Sequence, residues 1–352
     1  MKIFKKILNL FISGVNVKSL GLLEDPRTPE EKEKDYTSDE ITFSHSPVIW
    51  KEKSEAEWRK YPVFDQAKSS SCVGQAVAKC LGIENFIEED KFVQFSARDI
   101  YTRRANRPGE GMWFQNAMEI GAKIGITFEQ LMPSQGLNEI EMNKTSDRTK
   151  LTEIAGKIGR GGNYVCLRTN IDDIAFLIES EGRGVVLGVR FGSGEWNKDV
   201  PVVKDIKPSY GHGIVATNAI LHKGKKALVI EDSWGTTSGK NGRRILTKDW
   251  FDAKRIVYAA YYKFLSNDPQ TTKPKHEFKK DLYYGLNKDE EVAVLQRCLA
   301  YLNLFPSNVD FTGNFYSITL KAVKHFQRDN NIKPVLGYCG PKTRAKLNDI
   351  FK

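Results

Sequence analysis

The sequence predicts an α+β domain followed by a smaller three-helix unit. Helical spacing comes first, in the segments that start near residues 72, 96, 113 and 172. A series of β-branched and aromatic runs follows at 185–191, 213–221, 227–232 and 256–264, each bounded by glycine or charged turns. Helices grouped ahead of antiparallel strands give α+β, not an alternating α/β order. The hydrophobic pattern then lapses across 265–281, LSNDPQTTKPKHEFKKD, and returns as three new helical segments. The expected organisation is a leader at 1–57, a main domain at 58–264, a linker at 265–281 and a small domain at 282–352.

With 352 residues, 40% hydrophobic and 28% charged, the chain is long enough for about two domains with proper cores. The net charge of +10 favours an anionic surface or polymer as neighbour. The excess is spread along the chain, and no zinc-finger spacing or RNA-binding signature accompanies it, so no nucleic-acid partner is expected. The five cysteines, at 72, 80, 166, 298 and 339, are too few and scattered for a disulfide framework. No C-x-x-C occurs, and neither a metal nor an organic cofactor is expected.

Residues 1–13, MKIFKKILNLFIS, carry a lysine-rich start and a short apolar run broken by Asn9. An amphipathic helix with Ile3, Phe4, Ile7, Leu8 and Phe11 inward is preferred over a degenerate signal peptide, since no A-x-A site follows. No apolar stretch reaches membrane-spanning length. The charged, proline-punctuated 24–40 segment reads as a surface-running lead-in.

The stretch 64–86, FDQAKSSSCVGQAVAKCLGIENF, delivers Cys72 to the start of a helix with Val73, Ala76, Val77, Cys80 and Leu81 near one face. Ser69, Ser70 and Ser71 offer capping hydroxyls. A thiol at a helix N-terminus meets unpaired N–H groups and the positive dipole end, which favour thiolate. A cysteine nucleophile also needs a base, a group orienting that base, and an oxyanion donor. Gln66, on the same loop, offers an amide donor. His212, in YGHGIVATNAI, stands between two glycines at the mouth of a strand, where Gly211 permits close substrate approach. Asp232 ends the strand ALVIED, placed to orient an imidazole beneath Trp234. Taken singly, Cys72 also fits an ordinary buried cysteine and His212 a structural histidine. Their combination favours chemistry. His45, His222, His276 and His325 lie in polar or lysine-rich surroundings and have weaker claims.

Four ordered blocks, PVFDQAKSSSCVGQAVA, PGEGMWFQNAMEIGAKIGI, GHGIVATNAI and IEDSWGTTSGKNGRRIL, resemble the papain-like cysteine peptidases, especially bacterial and phage members. The resemblance covers roughly 58–264. It implies a two-lobed fold with Cys72 as nucleophile, His212 as general acid/base, Gln66 as oxyanion donor and Asp232 as orienting residue. It further implies Gly111, Gly211 and Trp234 as the substrate wall. Asp232 stands where the family has Asn, Ser69 replaces a disulfide cysteine, Val73 an aromatic, and Ser238 a tryptophan.

In the small domain, helical spacing at 289–303, 317–330 and 341–350 is joined by an internal echo. Gly313–Thr319 and Gly337–Thr343 share G-x₅-T, each leading into a helix. These residues, with Glu291–Gln296 and Thr319–Gln327, resemble the three-helix peptidoglycan-binding domains of cell-wall hydrolases. Tyr316 and Tyr338 are candidates either to stack on sugar rings or to pack between helices. The leader, LGLLEDPR…KDYTSDE, also resembles the segment before the catalytic domain of bacterial relatives, either crossing the cleft as a pro-segment or wrapping the domain.

The expected function is a cysteine endopeptidase with a polypeptide substrate, either a wall-associated protein or a peptidoglycan peptide. Residues 282–352 would hold the cell-wall polymer, at a wall, extracellular or virion-associated location. A retired peptidase domain in a wall-binding or virion structural protein is the alternative, and transpeptidation through the same acyl-enzyme a third.

Overall fold

The computed structural model describes residues 21–32, 48–158, 163–263, 273–302, 304–305 and 311–352. The expected amphipathic segment at 1–13, His45, most of the lead-in and part of the linker lie outside them. The described residues form two compact units, the larger holding 21–25, 48–158 and 169–259, the smaller 26–32, 163–168 and those described from 260 on, so that β1 and the end of β6, given below with the sheet, fall to the smaller.

The larger unit opens with helix α1 (Cys72–Glu89), which is buried along most of its length. Helices α2 (Ala97–Thr102) and α3 (Phe114–Glu119) follow, α3 running into a π turn at Ile120–Ile124. The spacing predicts a helix over 96–106, but α2 stops at Thr102. Arg104 folds its guanidinium back onto the carbonyls of Tyr101 and Gly109, the latter at 2.7 Å, and these bonds hold a turn in place of further helix. Gly125, at φ 85°, ends the π turn. Short helix α4 (Glu139–Met142) and helix α5 (Lys150–Ile158) come next, the latter absent from the sequence reading.

Strand β1 (Asn163–Cys166) precedes helix α6 (Ile171–Glu181), capped by Asn170. Strands β2 (Val185–Phe191), β3 (Tyr210–His222), β4 (Lys225–Glu231), β5 (Arg243–Thr247) and β6 (Ile256–Lys263) complete an antiparallel sheet of order β1-β6-β2-β3-β4-β5. The β3–β4 pairing shifts register between Ala216 and Asn218. Helix α1 packs on β3, where Gly213 lets the Val73 backbone approach. A Cβ there would lie 3.0 Å from Val73 Cα. Beside this junction the Phe114 and Tyr258 rings stack at 4.8 Å.

A buried charge cluster ties α1 to the end of the sheet. Glu231 accepts from Lys79 at 2.6 Å and from Arg243 at 2.9 Å, and Arg243 also donates to the Tyr61 carbonyl. Asp232 is the next residue, so the cluster fixes the turn that carries it.

The smaller unit holds α8 (Glu290–Tyr301), α9 (Ser317–Asp329) and α10 (Pro341–Phe351) around Leu295, Leu299, Phe315, Ile318, Phe326 and Leu347; helix α7 (Asp249–Asp252) belongs to the larger unit. Asp289 caps α8 by accepting from the N–H groups of Glu291 and Val292. The G-x₅-T echo has a physical cause. Gln296, buried, accepts from Gly313 N–H at 3.1 Å and donates to the Asn314 carbonyl and Thr319 Oγ1. Gln327 does the same for Gly337 N–H, the Tyr338 carbonyl and Thr343 Oγ1. Both glycines sit in the left-handed region, at φ 73° and 74°. Each loop is locked by one neutral amide.

Candidate active site

Cys72 is fully buried at the first turn of α1. The expected serine cap is not made. Ser71 occupies the cap position without a side-chain cap bond, and its hydroxyl lies 2.8 Å from Ser69 Oγ. The helix-end N–H groups are thereby left for the sulfur. Backbone N–H groups of Cys72, Val73, Gly213 and Gly21 all favour the thiolate, yet burial outweighs them and pushes the thiol up to about 12. The expected thiolate preference is thus reversed in this state.

The burial has an identifiable source. Gly21 lies directly over the thiol, where a Cβ would come 2.6 Å from Cys72 Sγ and 2.4 Å from the Ser70 carbonyl. The following residues form a strap across the site. Gly21 O accepts from Met112 N–H at 2.9 Å, Leu23 N–H donates to Met112 O at 3.1 Å, and Leu22 N–H donates to Gly211 O at 3.3 Å. Leu22 is buried against Gly188, and Glu24 pairs with Arg190 at 3.6 Å. Leu22 and Met112 form a parallel bridge.

Gln66 is locked on the adjacent loop. Its Oε1 accepts from Ser233 Oγ at 2.6 Å, and its Nε2 donates to the Ser69 carbonyl at 2.7 Å. Ser69 Oγ returns a bond to the Gln66 carbonyl. Ser69 therefore shapes the loop by hydrogen bonding where the resemblance implies a disulfide cysteine.

His212, also fully buried, faces two indoles: Trp234 at 4.8 Å between ring centroids and Trp196, edge-on, at 6.2 Å. Neither imidazole nitrogen has a hydrogen-bond partner. Burial first, and the Arg244 charge second, lower its pKa to about 3, so the ring is neutral. Asp232, expected to orient the imidazole, accepts no hydrogen bond from it here. Oδ2 accepts from Arg244 Nε at 2.8 Å, while Oδ1 has no partner. Burial raises the Asp232 pKa, and Arg244 holds it down against that. The Trp196 N–H lies near this carboxylate, outside strict hydrogen-bond geometry.

Of the proposed wall residues, Gly211 and Trp234 stand at the site. Gly111 does not reach across it: its N–H is spent on Tyr101 Oη at 2.9 Å, and its φ of 73° instead presents the Met112 backbone. Glu139 stiffens this wall by accepting from Tyr101 Oη and Ser70 N–H, each at 2.8 Å. Met112, Ser233, Trp196, Glu139 and Arg244 were missed in the sequence. Only Arg244 left a signal there: two departures from the family pattern, Asp232 and Ser238, meet at its side chain.

In the smaller unit, Tyr338 lines a cleft of about 290 Å³ with Gln327, Ile332, Leu336, Lys333 and Lys342. Its hydroxyl donates to Asp281, and the residue is 39% exposed. Tyr316 is half-buried and packs edge-on to Tyr284 at 5.8 Å. Among the described residues no acidic, histidine or cysteine cluster suited to a metal occurs, and no helix is long and apolar enough to cross a membrane.

Two solved structures share the architecture. Xylellain, a cysteine protease from Xylella fastidiosa, superposes with a TM-score of 0.56 at 15% identity, covering 71% of this chain and 97% of its own. Digestive procathepsin L 3 of Tenebrio molitor larval midgut gives 0.55 at 15% identity, covering 70% and 77%. The fold is papain-like. Residues 288–347 match the family described as "Putative peptidoglycan binding domain". No curated protein matches the chain. The order of helices, then antiparallel sheet, then a small helical region agrees with the α+β architecture expected from the sequence.

Proposed function

We propose that the protein is a cysteine endopeptidase, held latent by residues 21–24 and directed to bacterial cell wall by its C-terminal domain. The observation that carries this reading is the strap itself: an extended peptide, bonded on both sides, lies across a thiol at a helix start. A cleft that binds peptide backbone at a nucleophile is suited to peptide-bond chemistry.

In the open enzyme the Cys72 proton passes to His212, and the sulfur attacks a carbonyl carbon. Gln66 Nε2 and the Cys72 N–H hold the oxyanion. As the C–N bond breaks, His212 returns its proton to the leaving amine. Water then attacks the thioester with His212 as base, releasing the acid and restoring the thiol. Asp232 Oδ1, without a partner in the strapped state, would accept from the imidazole N–H and orient the ring. The strap escapes this sequence because Gly21 O is taken by Met112 N–H, while Gly21 N–H points at the sulfur.

Wall targeting is supported by the family match at 288–347 and by the Tyr338 cleft, whose apolar floor and rim lysines suit an anionic glycopeptide. Tyr338 would supply a ring for sugar stacking. Tyr316, packed on Tyr284, serves the fold.

Gly21→Ala in the full chain displaces the strap, since the added methyl has no room. We expect a thiol-reactive peptide epoxide to label Cys72 in that variant and not in Gly21→Ala/Cys72→Ala. Assays on casein and on purified sacculi then separate protein from peptidoglycan substrates. No Cys72 adduct in Gly21→Ala at any pH would favour the non-catalytic wall-binding alternative.

A further inference from the structure

Asp232 stands where the papain-like pattern has a neutral amide, and a carboxylate there changes the electrostatics of the whole site. Left alone beside His212, it would favour a permanent imidazolium. Arg244 on β5 answers it. Its side chain is 4% exposed, and the guanidinium makes three bonds: Nε to Asp232 Oδ2 at 2.8 Å, one terminal nitrogen to the Lys198 carbonyl at 2.7 Å, the other to Ser238 Oγ at 2.7 Å. Ser238 is the position where the family pattern has a bulky tryptophan, so its small side chain both makes room for Arg244 and anchors it. The guanidinium carbon also lies 5.7 Å from the Trp234 ring and 6.0 Å from the Trp196 ring. These are the same two indoles that flank the imidazole, and they offset part of the cost of burying the cation.

We propose that Arg244 is a positioning residue that converts Asp232 into the charge-neutral equivalent of a carboxamide. It occupies Oδ2, leaves Oδ1 as the one acceptor for a His212 N–H, and cancels the carboxylate charge so that His212 can cycle between neutral and protonated forms. Asp232, Ser238 and Arg244 thus form one unit. The proposal rests on His212 being the acid/base, but its readout does not depend on turnover. The charged and titratable groups around the imidazole are Cys72 on α1, Asp232 after β4 and Arg244 on β5; Arg190, paired with Glu24, sits one residue beyond Val189, the register partner of His212, and so faces the other side of the sheet.

The test is nitrogen NMR of the imidazoles in the full chain, with His212→Gln assigning the signal. In the wild type, His212 should stay neutral from about pH 8 down to about pH 5. In Arg244→Leu the His212–Asp232 pair should take up a proton at least about one pH unit higher than in the wild type. Arg244→Lys, which keeps the charge, should titrate near the wild type. Asp232→Asn/Arg244→Leu removes both charges and should restore the wild-type behaviour. If Arg244→Leu fails to fold, a folded double variant with wild-type titration still supports the charge cancellation.

Unchanged titration in a folded Arg244→Leu would overturn it. So would a double variant that stays shifted or fails to fold, since the bonds to Ser238 and Lys198 would then matter in place of the charge. Absence of a Cys72 adduct in Gly21→Ala together with these shifts would sink the enzymatic reading while leaving the charge pairing intact.

Discussion

The two units bury their polar atoms in opposite ways. Around the candidate site the larger unit buries full charges: Lys79, Arg243 and Glu231, then Arg244 and Asp232. At its loops the smaller unit buries Gln296, Gln327, Asn314, Thr319 and Thr343, all neutral, and no charged residue is buried there among those described. The neutral locks are local and repeatable, because an amide supplies donor and acceptor on one side chain. The charged clusters join segments far apart in sequence, as Lys79 and Glu231 are, and so fix the site as one body. Their liability is that a lost partner leaves a bare charge in the interior.

The contrast is broken most directly at Glu231. Glu231→Leu strands both Lys79 and Arg243, and we expect a loss of about 3–5 kcal/mol in denaturant unfolding of the larger unit. Gln327→Leu strands Gly337 N–H, the Tyr338 carbonyl and Thr343 in the smaller one. Its expected cost is about 1–3 kcal/mol, read by hydrogen exchange at α9 and α10. Equal costs for the two would erase the distinction between charged and neutral burial. Gln296→Leu should behave as Gln327→Leu does, since the two locks share their geometry.

A smaller effect follows from pH. In the folded chain His212 protonates only near about 3, against an ordinary 6.5. The unfolded chain therefore takes up a proton first as pH falls. Stability is full above 6.5 and declines from there toward 3. Thermal unfolding across that range should show the decline in the wild type and a shallower one in His212→Gln. The Cys72 thiol, raised from 9.0 to about 12, acts in the other direction, removing stability as pH rises above 9.0. An identical acid limb in His212→Gln would show that the imidazole is not the group that fails to charge.

The sequence made legible what depends on local pattern. Strand 185–191 and the start and end of α6 and α9 fall within a residue or so of expectation, because each has clean periodicity and a turn or cap at its ends. Residue type and order single out Cys72, His212 and Gln66 as candidates, and all three are buried in the larger unit. Strand β5 is not legible, since Arg243 and Arg244 open it and charged residues do not read as a buried strand. For the same reason Arg244 is hard to find in the sequence, although Ser238 and Asp232, which meet at its side chain, both depart from the family pattern. The strap over Cys72 is not legible, because nothing in LGLLED encodes the Met112 and Gly211 carbonyls it meets. Gly111 was chosen for its glycine, whereas the backbone that bonds the strap belongs to its neighbour.

The mildest expected effect lies at the smaller unit's cleft. Tyr338 stacks over Gly340, where a Cβ would come 2.2 Å from its ring, and its hydroxyl is tethered by Asp281. The ring is therefore held in place before any ligand arrives, so little side-chain entropy remains to be lost on binding. Tyr338→Ala should weaken sedimentation with purified sacculi about fivefold, corresponding to about 1 kcal/mol of ring contact. Tyr338→Phe keeps the ring and loses the tether, and should fall between the two. Tyr316→Ala, whose ring packs on Tyr284, should lower the stability of the smaller unit and leave sacculus binding by the folded protein unchanged. If Tyr316→Ala weakens binding and Tyr338→Ala does not, the polymer sits on the first G-x₅-T loop, and the two halves of the repeat exchange roles.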